Sequence, residues 1–195
     1  MSYEDLYNFC QLQPAPVSRK IIRQKLQEIT GRRIAFTVSS NLNPRDVRGM
    51  FLSVESSNAW VTQHGCDVVV LSRKIYAKTL GGNYCWDRFI TVKEMMHLFD
   101  TKEEMSDTGE KFDEILSAFF MTYNGSSPVV SSEIKGFWRA LGVLCPERIR
   151  QEYAQNVRGG SMTNYDVALK LRIPEQYIGQ LLSDKFVLLK DSILN

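Results

Sequence analysis

The sequence lacks any apolar run long enough to cross a membrane, since no hydrophobic stretch approaches the roughly 18 to 20 residues that a spanning helix needs. Its first ten residues, MSYEDLYNFC, carry acids where a secretory signal would carry positive charge followed by an apolar segment. Histidine is scarce, with only His64 and His97 in 195 residues. We therefore expect a cytoplasmic protein with no membrane partner.

Cysteine is also sparse, with four residues that are far apart and form no C-x-x-C pair. We interpret them as buried or incidental thiols in a reducing cytosol, because a disulfide framework would be denser. The net charge is only +2, which favours no particular partner. Locally the charge is uneven, since residues 18–33 carry six basic residues and one acid, whereas residues 100–114 carry seven acids and two lysines. The basic segment is either a solvated helix face or a contact for phosphate or an acidic protein.

The hydrophobic pattern predicts one helix before the strands and a mainly helical chain after residue 72. The β-rich segments are residues 32–38, 47–54 and 66–72, with a shorter candidate at 59–63. The helical segments are residues 18–29, 88–99, 106–123 and 131–144. This order predicts an α+β fold in which a small mixed or antiparallel sheet packs on several helices.

The last fifty residues have a different pattern. Residues 162–182 predict two short helices, with Thr163 as the N-cap of the first and Pro174 at the start of the second. A β-rich stretch follows them in this prediction. We expect a helix-turn-helix-like extension over 146–195, packed on a domain formed by 1–145. The second helix has no arginine, so we expect no direct contact with nucleic acid.

One segment of the chain is similar to a known catalytic motif. Residues 93–97 read KEMMH, which differs at one letter from the zinc-peptidase motif H-E-x-x-H. In that motif two histidines at i and i+4 bind one zinc ion, and the glutamate acts as general base on the metal-bound water. Here Glu94 holds the general-base position, His97 holds the second-ligand position, and Lys93 replaces the first histidine.

The surrounding residues resemble the ImmA/IrrE family of bacterial and phage metallopeptidases. The segment RFITVKEMMH is similar to the family pattern R-F-T-x-A-H-E-x-G-H, with matches at Arg88, Phe89, Glu94 and His97. It departs from the pattern at Ile90, Lys93 and Met96. The resemblance implies a zincin-like fold, and the tail segment 166–182 resembles the family's region after its proline.

The family's third metal ligand lies in a pattern like E-x-x-A-N-x-F-A-x-x-L-L-M-P. Residues 133–146, EIKGFWRALGVLCP, are similar to it, so the resemblance puts Glu133 in the ligand position. Phe137 and Arg139 depart from the pattern at the asparagine and phenylalanine positions. Glu114 remains an alternative third ligand.

Lysine at the first ligand position changes what this site can bind. An ammonium group has no lone pair, and deprotonating it at pH 7 would cost about 4.6 kcal/mol from its reference pKa. The alternative is that His64 or Cys85 replaces the missing first histidine as a zinc ligand. We therefore expect an ion pair between Lys93 and Glu133 in place of a metal, no cofactor, and zinc only if the site is functional.

Three functions follow from these expectations. The first is a pseudo-metallopeptidase that serves as a regulatory or protein-interaction module in a bacterial, phage or mobile-element circuit. Its partner would be a helix-turn-helix repressor, because the family acts on or with such repressors in stress response and transcription regulation. The second is an active zinc metallopeptidase with an unusual site, which would cleave a repressor-type protein. The third is a DNA-binding regulator that uses residues 162–190.

Overall fold

A computed structural model describes residues 2–80, 84–105 and 127–194 of the chain. The helices are α1 (Tyr3–Gln11), α2 (Arg19–Thr30), α3 (Ala59–His64), α4 (Arg73–Leu80), α5 (Tyr84–Met95), α6 (Pro128–Leu144), α7 (Glu147–Arg158), α8 (Asn164–Leu171), α9 (Ile178–Leu182) and α10 (Asp184–Leu194). The strands are β1 (Ile34–Ser39), β2 (Gly49–Leu52) and β3 (Asp67–Ser72). The predicted combination of a small mixed sheet with several helices is confirmed.

The sheet is built around its central strand. The strand order is β1-β3-β2, with β1 parallel and β2 antiparallel to β3. All six residues of β3 are buried, which explains its nearly continuous apolar run, DVVVLS. Successive side chains alternate between the two faces of the sheet, so Val69 and Leu71 enter the large helical core while Val68 and Val70 pack under α3.

Helix α5 lies across the large-core face of the sheet and positions the candidate site. It packs against β2, β3 and α6, and it buries Phe89, Val92 and Met95. After Met95 the chain tightens into a 3₁₀ turn, Met96–Phe99, so the predicted helix 88–99 is a helix that ends in a tighter turn. Gly49 allows β2 to approach α5 closely, because a Cβ at that position would lie 2.6 Å from Cγ2 of Ile90.

Two secondary-structure predictions were wrong. Residues 59–63 form part of helix α3, because Asn58 caps its first turn and Gly65 ends it with a positive φ of 59°. The stretch after residue 182 forms helix α10 and not β structure, and its Phe186 is buried in the main core. Three further helices, α1, α4 and α7, were not predicted. The predicted helix at 106–123 lies outside the described residues.

The C-terminal helices share the main core. Residues Ala154, Val167, Leu171, Ile178 and Phe186 belong to the same buried cluster as α5 and α6. The division at residue 145 stays a prediction. Within the described ranges, no helix combines the length and apolar character needed to cross a membrane.

Candidate functional site

The four described residues of the predicted site come together where the end of α5 faces α6. Lys93 and Glu94 lie in the last turn of α5, His97 lies in the 3₁₀ turn, and Glu133 projects from α6. The ammonium group of Lys93 forms an ion pair with Glu133 and lies 3.1 Å from Oε1 of Glu94. The Lys93 and Glu133 side chains are only 14% and 22% exposed, so the pair is largely removed from water.

His97 is held between two sets of acceptors. Its Nε2 atom lies 3.7 Å from Oε2 of Glu94 and 3.5 Å from Oε1 of Glu133. Its Nδ1 atom lies 2.6 Å from Oδ2 of Asp100 and 3.1 Å from the hydroxyl of Ser132. A proton on Nδ1 donated to Asp100 fixes the ring so that Nε2 faces the two glutamates, as a carboxylate does for a metal-ligating histidine.

Close packing keeps the imidazole in this position. The ring of Phe51 on β2 stacks against His97 at a centroid distance of 6.3 Å and an interplanar angle of 25°. On the opposite helix, a Cβ at Gly136 would lie 3.7 Å from Nε2 of His97, which is an ordinary van der Waals contact. A residue as small as alanine would therefore also fit between α6 and the imidazole.

The protonation states of the cluster depend on each other. Burial lowers the pKa of Lys93, but the carboxylates of Glu133 and Glu94 outweigh it and leave the pKa raised. Burial raises the pKa of Glu133, but Lys93 and His97 outweigh it and leave the pKa lowered. Burial lowers the pKa of His97, but Glu133 and the hydrogen bond to Asp100 leave it raised. Each shift favours the charged form of its group.

Positive and negative charges balance when His97 is protonated. Asp100, whose side chain is buried, has a second cation nearby, since Nη1 of Arg139 lies 3.6 Å from its Oδ1 atom. Three carboxylates, on Glu94, Glu133 and Asp100, then face three cations, on Lys93, His97 and Arg139. Such mutual compensation is what allows charged groups to remain in a poorly solvated region.

These residues do not fit a zinc ion. The Lys93 ammonium contacts carboxylate oxygens of both glutamates, and a protonated amine cannot donate a lone pair to a metal. Among the described residues, no group of three or more His, Cys, Asp or Glu side chains is placed to hold a metal ion. His64 cannot replace the missing zinc ligand, because it lies at the end of α3, on the opposite face of the sheet. Cys85 lies eight residues before Lys93, about 12 Å along the helix.

A cavity of about 910 Å³ opens above the cluster. Lys93, Glu94, His97 and Glu133 contribute to its lining, together with the half-buried rings of Phe51, Phe137 and Tyr177. Pockets that combine apolar walls with a few convergent polar groups are the usual form of a ligand site. The cluster is therefore placed where a bound partner or small molecule would reach it.

Arg88, a further residue of the motif, ties the site helix to the rest of the chain. Its guanidinium group donates hydrogen bonds to the carbonyls of Leu171 at 2.8 Å, Arg172 at 3.1 Å and Val17 at 2.5 Å. Arg172 is where α8 ends in a left-handed turn with a φ of 54°. Burial lowers the pKa of Arg88 to about 10, so these carbonyls replace water around a buried charge.

The sequence reasoning missed Asp100 and Ser132, the two residues that orient His97. Asp100 stands three residues after His97, a spacing that could have identified it, whereas Ser132 meets the ring only through the packing of α6 on α5. Glu114, the alternative third ligand, lies outside the described residues.

Comparisons with known proteins add no relative. Neither a protein-family model, nor a curated protein, nor a solved structure matches this chain. The resemblance to the ImmA/IrrE family therefore rests on the motif residues alone.

Proposed function

We propose that this chain is a non-catalytic, ImmA/IrrE-like member of the zincin-type fold that acts as a regulatory protein-interaction module. One observation carries the proposal: the Lys93 ammonium pairs with Glu133 and Glu94 beside His97, where the peptidase motif would hold zinc. A resident cation that neutralises both carboxylates removes the electrostatic reason for a metal to bind. Without a metal-activated water, Glu94 has no nucleophile to deprotonate.

The partner that best fits this function is a helix-turn-helix repressor in a bacterial, phage or mobile-element circuit. Support comes from the family resemblance, in which such repressors are the usual targets. The cavity above Lys93 adds support, since its half-buried rings offer apolar contact area to a bound segment. A protein of this kind would hold or mask its partner without cleaving it.

A peptidase assay tests the catalytic part of the proposal. The purified chain and the Glu94→Gln variant are incubated with zinc and unfolded casein, and fragments are followed by mass spectrometry. We expect equal and negligible cleavage by both proteins, because Glu94 performs no chemistry. Cleavage by the unaltered chain that disappears in Glu94→Gln would instead establish an active peptidase.

Co-expression tests the binding part. The chain is produced together with the helix-turn-helix repressor encoded nearest to it, and the two are purified through a tag on the repressor. We expect an intact repressor in a complex with the chain. A repressor that is cut, or that never co-purifies, would contradict the proposal.

A further inference from the structure

Among the described residues, β1 has no strand neighbour on the side of the sheet away from β3. The N–H of Asp67 donates to the carbonyl of Arg33 at 3.2 Å. In a parallel pair, alternate residues of a strand direct both their N–H and their C=O groups to the same neighbouring strand. Arg33 faces β3, so Ile34, Phe36 and Val38 direct their N–H and C=O groups away from β3.

Helix α2 occupies only the first of these three outward positions. The N–H of Ile34 donates to Oε1 of Gln27 at 3.2 Å, and Arg23 donates to the carbonyl of Ile34 at 2.5 Å. β1 is an edge strand of the sheet, and in the described part of the chain nothing bonds to the outward groups of Phe36 and Val38. Phe36 is 37% exposed, so part of this residue is accessible to a partner.

Basic residues lie near both ends of this edge. Arg33 precedes β1, where its guanidinium group donates to the carbonyl of Gly65, and the Arg23 guanidinium lies 4.8 Å from the ring centroid of Phe36. At the other end Ser39 pairs with Ser72, which is followed directly by the exposed Arg73 and Lys74. Asp67, which pairs with Ile34 in the neighbouring strand β3, already forms an ion pair with Arg32.

We propose that the outer edge of β1 binds an extended, acidic segment of a partner protein by strand addition. Main-chain hydrogen bonds to Phe36 and Val38 give the affinity, as in other cases of β-augmentation. The basic residues on both sides select acidic side chains. A second copy of this chain is a poor occupant, because two such edges would bring their basic borders together.

This inference goes beyond the proposed function, with which it shares only the expectation of a protein partner. It uses no residue of the Lys93 cluster. Peptidase and metal measurements therefore test the proposed function, whereas peptide binding tests strand addition at β1. Either proposal can fail while the other stands.

The test is selection of peptides from a random twelve-residue display library on the full chain. We expect enriched sequences that combine acidic residues with β-branched ones, and amides of Phe36 and Val38 that exchange more slowly with solvent when peptide is bound. Val38→Pro, which removes an outward N–H and is tolerated on an edge strand, should weaken binding about tenfold. Val38→Ala keeps the N–H and should retain binding.

A charge variant gives a second readout without altering the strand. Arg73→Glu combined with Lys74→Glu should weaken the acidic peptides and reduce the salt dependence of binding, whereas Lys170→Glu on α8 should not. Failure to enrich any peptide, enrichment without acidic bias, or equal binding by Val38→Pro and Val38→Ala would overturn the proposal. Self-association of the chain through this edge would also overturn it.

Discussion

Replacing Lys93 with methionine should strongly destabilise the protein, because it leaves the carboxylates of Glu94 and Glu133 without their shared cation. The methionine side chain fills similar space, so the change is mainly one of charge. At the 3.1 Å separation of Lys93 and Glu94, two unit charges attract by about 5 kcal/mol at an effective dielectric constant near 20. Desolvation offsets much of this attraction, and removing one partner of a buried pair typically costs about 3 to 5 kcal/mol. We expect about 3 kcal/mol, since solvent still reaches part of the pair.

Urea denaturation followed by circular dichroism measures the loss, with Lys135→Met as the matched control. Lys135 also pairs with a glutamate, Glu104, but its side chain is 42% exposed. We expect that control to lose less than about 1 kcal/mol. The double variant Lys93→Met/Glu133→Gln should lose less than the sum of its single changes, because the two residues interact directly. Equal and small losses for Lys93→Met and Lys135→Met would refute the buried ion pair.

The cost of Lys93→Met should also depend on pH. Because Lys93 holds the pKa of Glu133 below its ordinary value, the ion pair stabilises the fold above the unfolded-state pKa of Glu133. This stabilisation is lost as pH falls through the depressed folded-state pKa. The difference between the unaltered chain and Lys93→Met should therefore shrink in acid, and a difference that stayed constant would contradict the assignment.

Three further results are expected. Arg88→Met should lower the free energy of unfolding by about 3 kcal/mol in urea denaturation, because three carbonyls lose their donor and two of these hydrogen bonds are buried. Gly49→Ala should cost about 1 to 3 kcal/mol, since its Cβ would lie 2.6 Å from Ile90, whereas Gly179→Ala, with open space around it, should be neutral or slightly stabilising. Because its folded-state pKa is raised, His97 stabilises the fold below its unfolded-state pKa and this contribution is lost as pH rises through the folded value. Stability should thus fall as pH rises from the ordinary value of 6.5 through the raised folded-state value, and His97→Gln should remove that dependence.

Each of these predictions has a contrary result. Arg88→Lys keeps the charge, but its single nitrogen cannot replace both Nη1 and Nη2, so stability equal to that of the unaltered chain would contradict the role given to the three hydrogen bonds of Arg88. Equal effects of alanine at Gly49 and Gly179 would show that β2 does not pack closely on α5. An NMR titration that places the pKa of His97 below 6.5, its ordinary value, would contradict its placement among carboxylates.

Strand β3 and helix α5 could be predicted because their hydrophobic sequence patterns match the way their side chains are buried. The apolar run of β3 is typical of a strand buried on both faces, and α5 presents a stripe of buried residues at helical spacing. Glu133 was proposed through the resemblance to the family pattern and not from local spacing, and in the structure its carboxylate pairs with Lys93 at the end of α5.

Predictions failed where packing outweighed local preference. Trp60 and Val61 favour strands, but the capping residues on each side of them support a helix that covers the small cluster under the sheet. The β-rich stretch near Phe186 became helical because that ring packs against Trp138 at a centroid distance of 6.1 Å. Ser132 could not be assigned for the same reason, since it reaches His97 only through the packing of α6 on α5.

Metal content tests the central claim most directly, namely that Lys93 occupies the place of a zinc ion. The unaltered chain and the Lys93→His variant are purified without chelators, incubated with zinc, desalted and measured by inductively coupled plasma mass spectrometry. We predict zinc far below one ion per chain for the unaltered protein, and clearly more for Lys93→His, which adds an imidazole beside His97 and Glu133. Near-stoichiometric zinc in the unaltered protein would contradict the account.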